Sequence, residues 1–229
     1  MLIGADGHRS LVRSSTFPEH PNATFAGYTL WLGIGEIPTR SSAPDNLTIL
    51  AEDGYYLLGY PLPPDGSVGR LGWAWYDATR NDLLRRAGSV QGNVVHHSLA
   101  AGDIPPTTYD ELADEAERFW PQLWSTAMRD SIRRRAVTCT PIAEYVPERL
   151  VRGRVALVGD AAHVPTPMTG MGFATSLDDG AAIARALTDA TPETVDKALL
   201  TYEDQRLAPA QRLVRGGQHF SKSFAHTSS

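Results

Sequence analysis

The stretch GRVALVGDAAHVPTPMTGMGFATSLDDGAAIARAL, residues 153–187, carries the signals that decide the fold. An apolar run of strand character ends at Gly159 and Asp160, prolines follow, and a Gly-x-Gly then opens a helical pattern. An apolar run without alternation is typical of a parallel strand that helices cover on both faces. In such sheets ligands bind beyond the carboxyl ends of the strands, which is where Asp160 falls.

The residue types in this stretch indicate a binding site. A carboxylate at a strand end can accept hydrogen bonds from the vicinal hydroxyls of a sugar or ribitol chain, but it suits an anionic phosphate poorly. Gly170 and Gly172 let the backbone approach a ligand closely, and the helix start directs free amides and partial positive charge at that ligand. A flat heterocycle that gains negative charge during a reaction would be stabilised there. An alternative is that Asp160 only caps a turn.

Length and composition exclude several function classes. The chain has 229 residues, 42% of them hydrophobic and 21% charged, which is ordinary for a soluble globular protein. A net charge of −5 gives no electrostatic reason to propose nucleic acid or an anionic membrane as a partner. No apolar run approaches the ~20 residues of a membrane span. Cys139 is the only cysteine, so a Cys-based metal site is excluded. We expect a cytoplasmic protein without a metal.

The pattern along the chain predicts a mixed α/β fold with two domains. Aromatic and aliphatic strand-like segments, punctuated by Gly, Pro and Asn, follow one another from residue 24 to about 79 and predict an antiparallel sheet. Helical spacing predicts helices over about 170–190 and 192–216, with a loose polar tail from Gly217. The predicted domains are a partial cofactor-binding domain, 1–23 and 138–229, and a substrate-binding domain with the antiparallel sheet, 24–137.

Two motifs resemble those of the flavin-dependent aromatic hydroxylases, the family typified by para-hydroxybenzoate hydroxylase and phenol hydroxylase. Its second FAD-binding motif matches Gly159, Asp160, Ala161, Ala162, His163, Pro167, Gly170 and Gly172. The opening GADGHRSLVR resembles the other internal motif, with matches at Gly4, Asp6, Gly7, Ser10 and Arg13. The resemblance covers essentially the whole chain. It implies the C-terminal part of a two-domain flavoprotein monooxygenase fold.

The resemblance also implies a role for each matched residue. Asp160 would hold the ribitol hydroxyls of FAD, and Pro167 would lie beside the isoalloxazine ring. The amides of residues 170–172 would face the N1 and C2 carbonyl edge of the ring, whereas Asp6 and Arg13 would lie near the flavin diphosphate and the nicotinamide donor. The candidate catalytic residues are Pro167, Gly170 and Gly172. The candidate cofactor-binding residues are Asp6, Arg13, Gly159, Asp160, Pro167, Gly170, Met171 and Gly172.

The reaction that the resemblance implies is a monooxygenation. FAD is reduced by NADH or NADPH, addition of O2 gives a flavin C4a-hydroperoxide, and this species hydroxylates a phenolic or polycyclic aromatic substrate. The protein's share of such a reaction is to position the groups, exclude water and tune charge.

The sequence departs from the family pattern at two points. Ala174 stands where the family often has Asn, two residues beyond the second glycine, so one polar flavin contact is in doubt. No Gly-x-Gly-x-x-Gly unit occurs in the chain, and GIGEIP at 33–38 has strand character instead. We therefore expect that LIGADG, residues 2–7, is the end of a strand whose start is missing. The chain would then be truncated, or half of a split enzyme with a separate N-terminal FAD-binding chain.

Other functions stay open to different degrees. A catalytically inactive remnant that binds a ligand or a partner is the main alternative. A hydrolase pair of His163 and Asp160 is disfavoured because no Gly-x-Ser-x-Gly supplies a nucleophile. Several aromatic residues of the predicted sheet could line a substrate pocket or could face the core instead: Trp31, Tyr55, Tyr56, Tyr60, Trp73 and Trp75.

Overall fold

The computed structural model describes residues 1–38, 44–52, 55–66 and 68–227. Its strands are β1 (Leu2–Gly4), β2 (Thr24–Pro38), β3 (Thr48–Glu52), β4 (Tyr55–Asp65), β5 (Val68–Asp77), β6 (Val90–Gln91), β7 (Val94–Val95), β8 (Val137–Glu144), β9 (Val151–Arg152) and β10 (Val155–Leu157). Its α-helices are α1 (Leu11–Thr16), α2 (Asn81–Arg86), α3 (Pro106–Phe119), α4 (Gln122–Arg133), α5 (Gly172–Leu187) and α6 (Val195–Thr227). The mixed α/β class with an antiparallel sheet is as predicted.

The chain divides into two compact units. The first unit comprises residues 1–26, 92–95 and 143–223, and the second comprises 27–91, 96–142 and 224–229. The bounds of these units differ from the predicted segments at 24–26, 92–95, 138–142 and 224–229, and the predicted domain division stays a prediction. Residues 92–95 lie in the first unit because Val94 of β7 pairs with Thr24. The end of α6 lies in the second unit because Phe224 packs edge-on against Tyr28. The assignment of functions to the two segments stays a prediction.

The first unit is built on a small sheet of order β1-β10-β9. β1 runs parallel to β10, with Leu2 opposite Val155 and Gly4 opposite Leu157, so the predicted parallel strand is present. Helices α5 and α6 contribute to the apolar core behind β10, which includes Ile183, Leu199 and Tyr202. The Tyr202 hydroxyl donates to the Leu157 carbonyl at 2.7 Å and so satisfies a buried polar group at the end of β10.

The second unit is built on the antiparallel run β3-β4-β5-β2, with β8 paired to β2. All five tryptophans of the chain lie in this unit and are at most 5% exposed: Trp31, Trp73, Trp75, Trp120 and Trp124. Two of them satisfy their buried N–H groups within the unit. Trp31 Nε1 donates to Asp77 Oδ2 at 2.8 Å, and Trp73 Nε1 donates to Ser131 Oγ on α4 at 3.0 Å. Helix α4 is thereby held against the sheet.

Two helical predictions were wrong in detail. The tail from Gly217 is not loose, since α6 continues to Thr227 and its Ser221 donates to the buried Glu144 at 2.6 Å. Helix α5 does not bury the predicted apolar face, because Phe173 and Leu177 are 78% and 59% exposed. The buried residues of α5 are Thr175, Asp179, Ala182 and Ile183. Asp179 on this buried side is hydrogen-bonded, as described below.

Candidate functional site

A tight turn presents Asp160 to solvent beyond the end of β10. The turn is a 3-10 segment over Gly159–Ala161, and Gly159 has a φ of +58°, a left-handed conformation that favours glycine. A Cβ at Gly159 would also lie 3.0 Å from Ser176 Oγ of α5, which is tighter than ordinary contact. Gly159 is therefore needed for the turn, and the turn leaves the Asp160 side chain exposed. This matches the predicted position at the strand end.

A second turn leads into the start of α5. Thr166 caps the 3-10 segment Pro167–Thr169, and Gly170 follows in the left-handed region with a φ of +61°. Helix α5 then begins at Gly172 without any side-chain cap. The first amides of a helix have no acceptor within the helix, so they carry partial positive charge toward whatever lies in front of them.

These two turns face a common pocket of about 390 Å³. It is lined by Asp160, Val164, Pro165, Thr166, Pro167, Gly172, Phe173 and Ser176. The structure thus brings together three of the predicted residues, Asp160, Pro167 and Gly172, which lie up to 12 positions apart in the sequence. Gly159, Gly170 and Met171 shape the two turns without lining the pocket. In one pocket, the carboxylate can accept hydrogen bonds from the hydroxyls of a ligand. The amides at the uncapped helix start can donate hydrogen bonds to an anionic edge of the same ligand.

Asp6 does not line this pocket and instead caps α1. Its Oδ1 accepts from Ser10 Oγ at 2.5 Å, and its Oδ2 accepts from the amides of Leu11 and Val12 at 2.8 and 3.1 Å. Slight burial raises the pKa of Asp6, but these hydrogen bonds outweigh it and hold the pKa below the ordinary value. The described contacts therefore give Asp6 a local structural role, and its place near a flavin diphosphate stays a prediction.

Arg13 does not line the pocket but contacts the backbone of the turn that carries Asp160. The side chain is 1% exposed, and its guanidinium donates to the carbonyls of Asp160 and Ala161 at 3.3 and 3.0 Å. It also lies 4.4 Å above the Tyr145 ring. These contacts link α1 to the turn that carries Asp160. The motif residue is thus connected to the site through the backbone of residues 160–161, and its side chain does not point into the pocket lining.

A buried carboxylate next to the pocket escaped the sequence analysis. Asp179 accepts hydrogen bonds from the Gly159 amide, from His163 Nε2 and from Arg206 Nε, at 2.9, 2.7 and 2.7 Å. Burial raises the pKa of Asp179, but the bonds to His163, Arg206 and Gly159 outweigh burial and hold it below the ordinary value. The sequence signal that could have revealed Asp179 is its position as an acidic residue on the side of α5 that also carries Thr175 and Ala182.

The aromatic residues of the sheet divide between core and surface. Trp31 and Trp75 are fully buried, and Tyr55 stacks on Phe119 with ring centroids 4.3 Å apart. Tyr60 is 38% exposed and, with Trp73, lines a separate pocket of about 540 Å³ within the second unit. The other residues lining this pocket are Leu32, Gly33, Ile34, Glu36, Asp65, Arg70, Arg134, Ala136 and Thr138.

The described residues hold neither a metal-ligand cluster nor a membrane-spanning helix. Within the ranges given above, no three His, Cys, Asp or Glu side chains form a group that could hold a metal ion. In the same part of the chain, no helix combines the length and hydrophobicity needed to cross a bilayer.

Comparison with known proteins identifies the family. A family profile described as "FAD binding domain" matches residues 94–216, which is more than half of the chain. The chain belongs to this FAD-binding family. It is 29% identical over 196 residues to 2,6-dihydroxypyridine 3-monooxygenase of Paenarthrobacter nicotinovorans, covering 82% of this chain and 48% of that protein. It is 30% identical over 228 residues to FAD-dependent urate hydroxylase of Klebsiella oxytoca, covering 93% and 49%.

Solved structures agree on the fold. A 2,6-dihydroxypyridine-3-hydroxylase from Arthrobacter nicotinovorans superimposes with a TM-score of 0.77 at 24% identity, covering 99% of this chain and 58% of that one. Klebsiella pneumoniae HpxO, complexed with FAD and uric acid, superimposes with a TM-score of 0.68 at 24% identity, covering 98% and 51%. This chain spans about half the length of the two curated relatives named above.

The comparisons confirm the family predicted from the two motifs and the predicted fold class. The two relatives named above are, by their names, a monooxygenase of 2,6-dihydroxypyridine and an FAD-dependent hydroxylase of urate. The comparisons give no support to a separate N-terminal chain.

Proposed function

We propose that this chain supplies the ribityl- and ring-binding part of an FAD-dependent monooxygenase that hydroxylates a small aromatic or heteroaromatic compound. The observation that carries the proposal is the pocket shared by Asp160, Pro167 and the uncapped start of α5. The FAD-binding family match and the relatives' names support it.

The residues present fit the middle and the ring end of FAD. Asp160 is exposed at the pocket wall, so its oxygens are free to accept from the ribityl hydroxyls. Pro165 and Pro167 form a rigid apolar wall suited to a flat ring. The first amides of α5 would then donate to the pyrimidine edge of the ring, where negative charge accumulates on reduction. No residue of this pocket supplies a positive side chain for a diphosphate.

Bound FAD would supply the redox chemistry, taking electrons from NADH or NADPH and using them to activate O2 for transfer of one oxygen atom to the substrate. The chain's own contribution is electrostatic and steric. Asp160 fixes the ribityl chain, the α5 amides favour the anionic reduced ring, and the proline wall limits access of water on one side. The nicotinamide donor and the aromatic substrate are parts of this proposal that follow from the family resemblance.

The hydroxyl contact of Asp160 gives the test. Asp160→Ala should weaken FAD binding by about 1.5–3 kcal/mol, the range for hydrogen bonds to a charged group. The binding free energy of riboflavin should fall by the same amount, because riboflavin has the ribityl chain. Lumiflavin lacks that chain and should bind to Asp160→Ala as tightly as it binds to the parent protein. Fluorescence titrations of all three flavins measure these affinities.

The control for this experiment is Asp189→Ala, which removes an exposed carboxylate just beyond the end of α5. It should bind all three flavins as the parent does. Equal losses for lumiflavin and riboflavin in Asp160→Ala would rule out a ribityl contact. Turnover of a reduced nicotinamide that depends on both FAD and an aromatic substrate separates a catalyst from a binding remnant.

A further inference from the structure

A buried ionic cluster lies directly behind the pocket. Its centre is Asp179, whose side chain is fully buried and whose two oxygens both accept hydrogen bonds. Oδ2 accepts from the Gly159 amide at 2.9 Å and from His163 Nε2 at 2.7 Å, and Oδ1 accepts from Arg206 Nε at 2.7 Å. One carboxylate thus ties together three separate segments of the first unit.

The partners of Asp179 contact two segments that line the pocket, the Asp160 turn and the start of α5. Gly159 begins the turn that carries Asp160, and the amide of His163 closes that turn by donating to the Gly159 carbonyl at 2.9 Å. Arg206, on α6, also donates to the Thr175 carbonyl at 3.3 Å, which lies in the first turn of α5. Asp179 itself lies on α5, two turns beyond Gly172. The cluster therefore sets the distance between the ribityl-binding turn and the helix start.

The hydrogen-bond pattern indicates that Asp179 acts as an acceptor. The Gly159 amide and the Arg206 guanidinium can only donate, so both oxygens of Asp179 act as acceptors, and the ion pair with Arg206 favours the ionised carboxylate. His163 donates to the same Oδ2 through Nε2, at 2.7 Å. An asparagine at 179 would meet an N–H donor with its own NH2 group in either orientation.

We propose that Asp179 is a positioning residue for the flavin: it holds the Asp160 turn and the start of α5 in the separation that binds both the ribityl chain and the ring edge. This inference rests on the proposed function of the pocket. It assigns no contact between Asp179 and the flavin. Nothing in the motif resemblance pointed to this residue, since Asp179 lies outside the matched positions.

The experiment compares two isosteric changes at adjacent positions of α5. Asp179→Asn should weaken FAD binding at least tenfold. Hydrogen exchange followed by mass spectrometry should also show faster exchange in peptides covering 159–163 and 172–176, without faster exchange across β2–β5. Asp178→Asn is the matched control, because Asp178 is 69% exposed and only reaches Arg206 at 3.8 Å. It should change neither measurement.

The outcomes separate the possible explanations. Parent-like FAD affinity and local exchange in Asp179→Asn, with only a lower melting temperature, would show a purely structural role and overturn the proposal. If the parent chain binds no flavin, the proposed function fails for this chain, and the exchange pattern alone decides whether Asp179 holds the two segments. If Asp179→Asn does not fold, Arg206→Met replaces it in the experiment. The Arg206 side chain is 13% exposed, and its replacement removes one of the three hydrogen bonds that Asp179 accepts. FAD affinity should then fall and local hydrogen exchange should rise, as expected for Asp179→Asn. Parent-like FAD affinity and hydrogen exchange in Arg206→Met would then overturn the proposal.

Discussion

Two aspartates beside one pocket have opposite tasks because their surroundings differ. Asp160 is exposed beyond a strand end, so its carboxylate is available to a ligand. Asp179 is fully buried, and its oxygens are already occupied by Gly159, His163 and Arg206. Burying a charge is costly unless it is paired and hydrogen-bonded, and this cluster meets both conditions. At the residue scale, availability to a ligand follows from exposure and not from the residue type.

The stability of the protein should depend on the charge of Asp179 in acid. Its pKa lies below the ordinary value of 3.8 in the folded chain, because the bonds to His163, Arg206 and Gly159 outweigh burial. A lowered folded pKa gives stability that is present above pH 3.8 and is lost as the pH falls through the folded pKa. The free energy of unfolding of the parent should therefore exceed that of Asp179→Asn at pH 6, and the gap should close in strong acid.

Urea unfolding at a series of pH values measures this gap. Asp178→Asn provides the control and should follow the parent at each pH, since Asp178 is mainly exposed. A gap between the parent and Asp179→Asn that stays constant down to pH 2 would contradict an ionised Asp179.

At the scale of elements, α6 comes very close to the turn before α5 at Gly217. Gly217 faces the turn before α5, and a Cβ at this position would lie 2.5 Å from Thr166 Cγ2 and 3.1 Å from Thr169 Cγ2. Gly216, its neighbour in the same helix, has open space around it. The close approach explains why a glycine is tolerated far inside a long helix, where it weakens helix formation.

Alanine substitutions at these two glycines should have opposite effects on stability. Gly216→Ala should stabilise the protein by about 0.5–1 kcal/mol, because alanine loses less backbone freedom in a helix. Gly217→Ala gains the same amount but overpacks the turn, at a cost of about 1–3 kcal/mol. The net effect at Gly217 is destabilising, and urea unfolding of the two variants measures it. Equal stabilisation by both substitutions would show that α6 does not press on Thr166.

At the scale of the whole molecule, each unit has a core of its own, and the candidate flavin pocket lies in the first. The second unit contains every tryptophan of the chain and its single cysteine. Cys139 is fully buried, and its Sγ lies 3.2 Å from Thr29 Oγ1. Tryptophan fluorescence and thiol chemistry therefore report on the second unit, whereas flavin binding reports on the first.

The Cys139 thiol should be unreactive in the native protein. Burial raises its pKa to about 12, so only about one thiol in 10⁴ is ionised at pH 8, and the buried sulfur is also out of reach. Ellman's reagent should detect no thiol in the native protein and one per chain after denaturation in guanidinium chloride. Rapid stoichiometric labelling of the native chain would show that the core of the second unit opens readily.

Local sequence signals predicted the parts of the site that depend on neighbours along the chain. The apolar run, Gly159–Asp160, the prolines and the Gly-x-Gly at 170–172 correctly predicted a strand, a turn and a helix start in that order. Backbone geometry explains the success, because left-handed glycines and uncapped helix starts are properties of a few consecutive residues. The antiparallel sheet was predictable for a similar reason, through alternating aromatic and aliphatic residues.

Contacts between distant segments were decided only by the tertiary structure. The partners of Asp179 lie 16 to 27 positions away, and Arg13 reaches Asp160 across 147 positions, so no local pattern reveals either contact. The buried side of α5 carries Asp179, whereas Phe173 and Leu177 of the predicted apolar side are exposed. The sequence by itself determined the order of strand, turn and helix start around the candidate pocket. Tertiary packing decided which polar groups hold that site in shape, since buried charges are stable only where partners from other elements meet them.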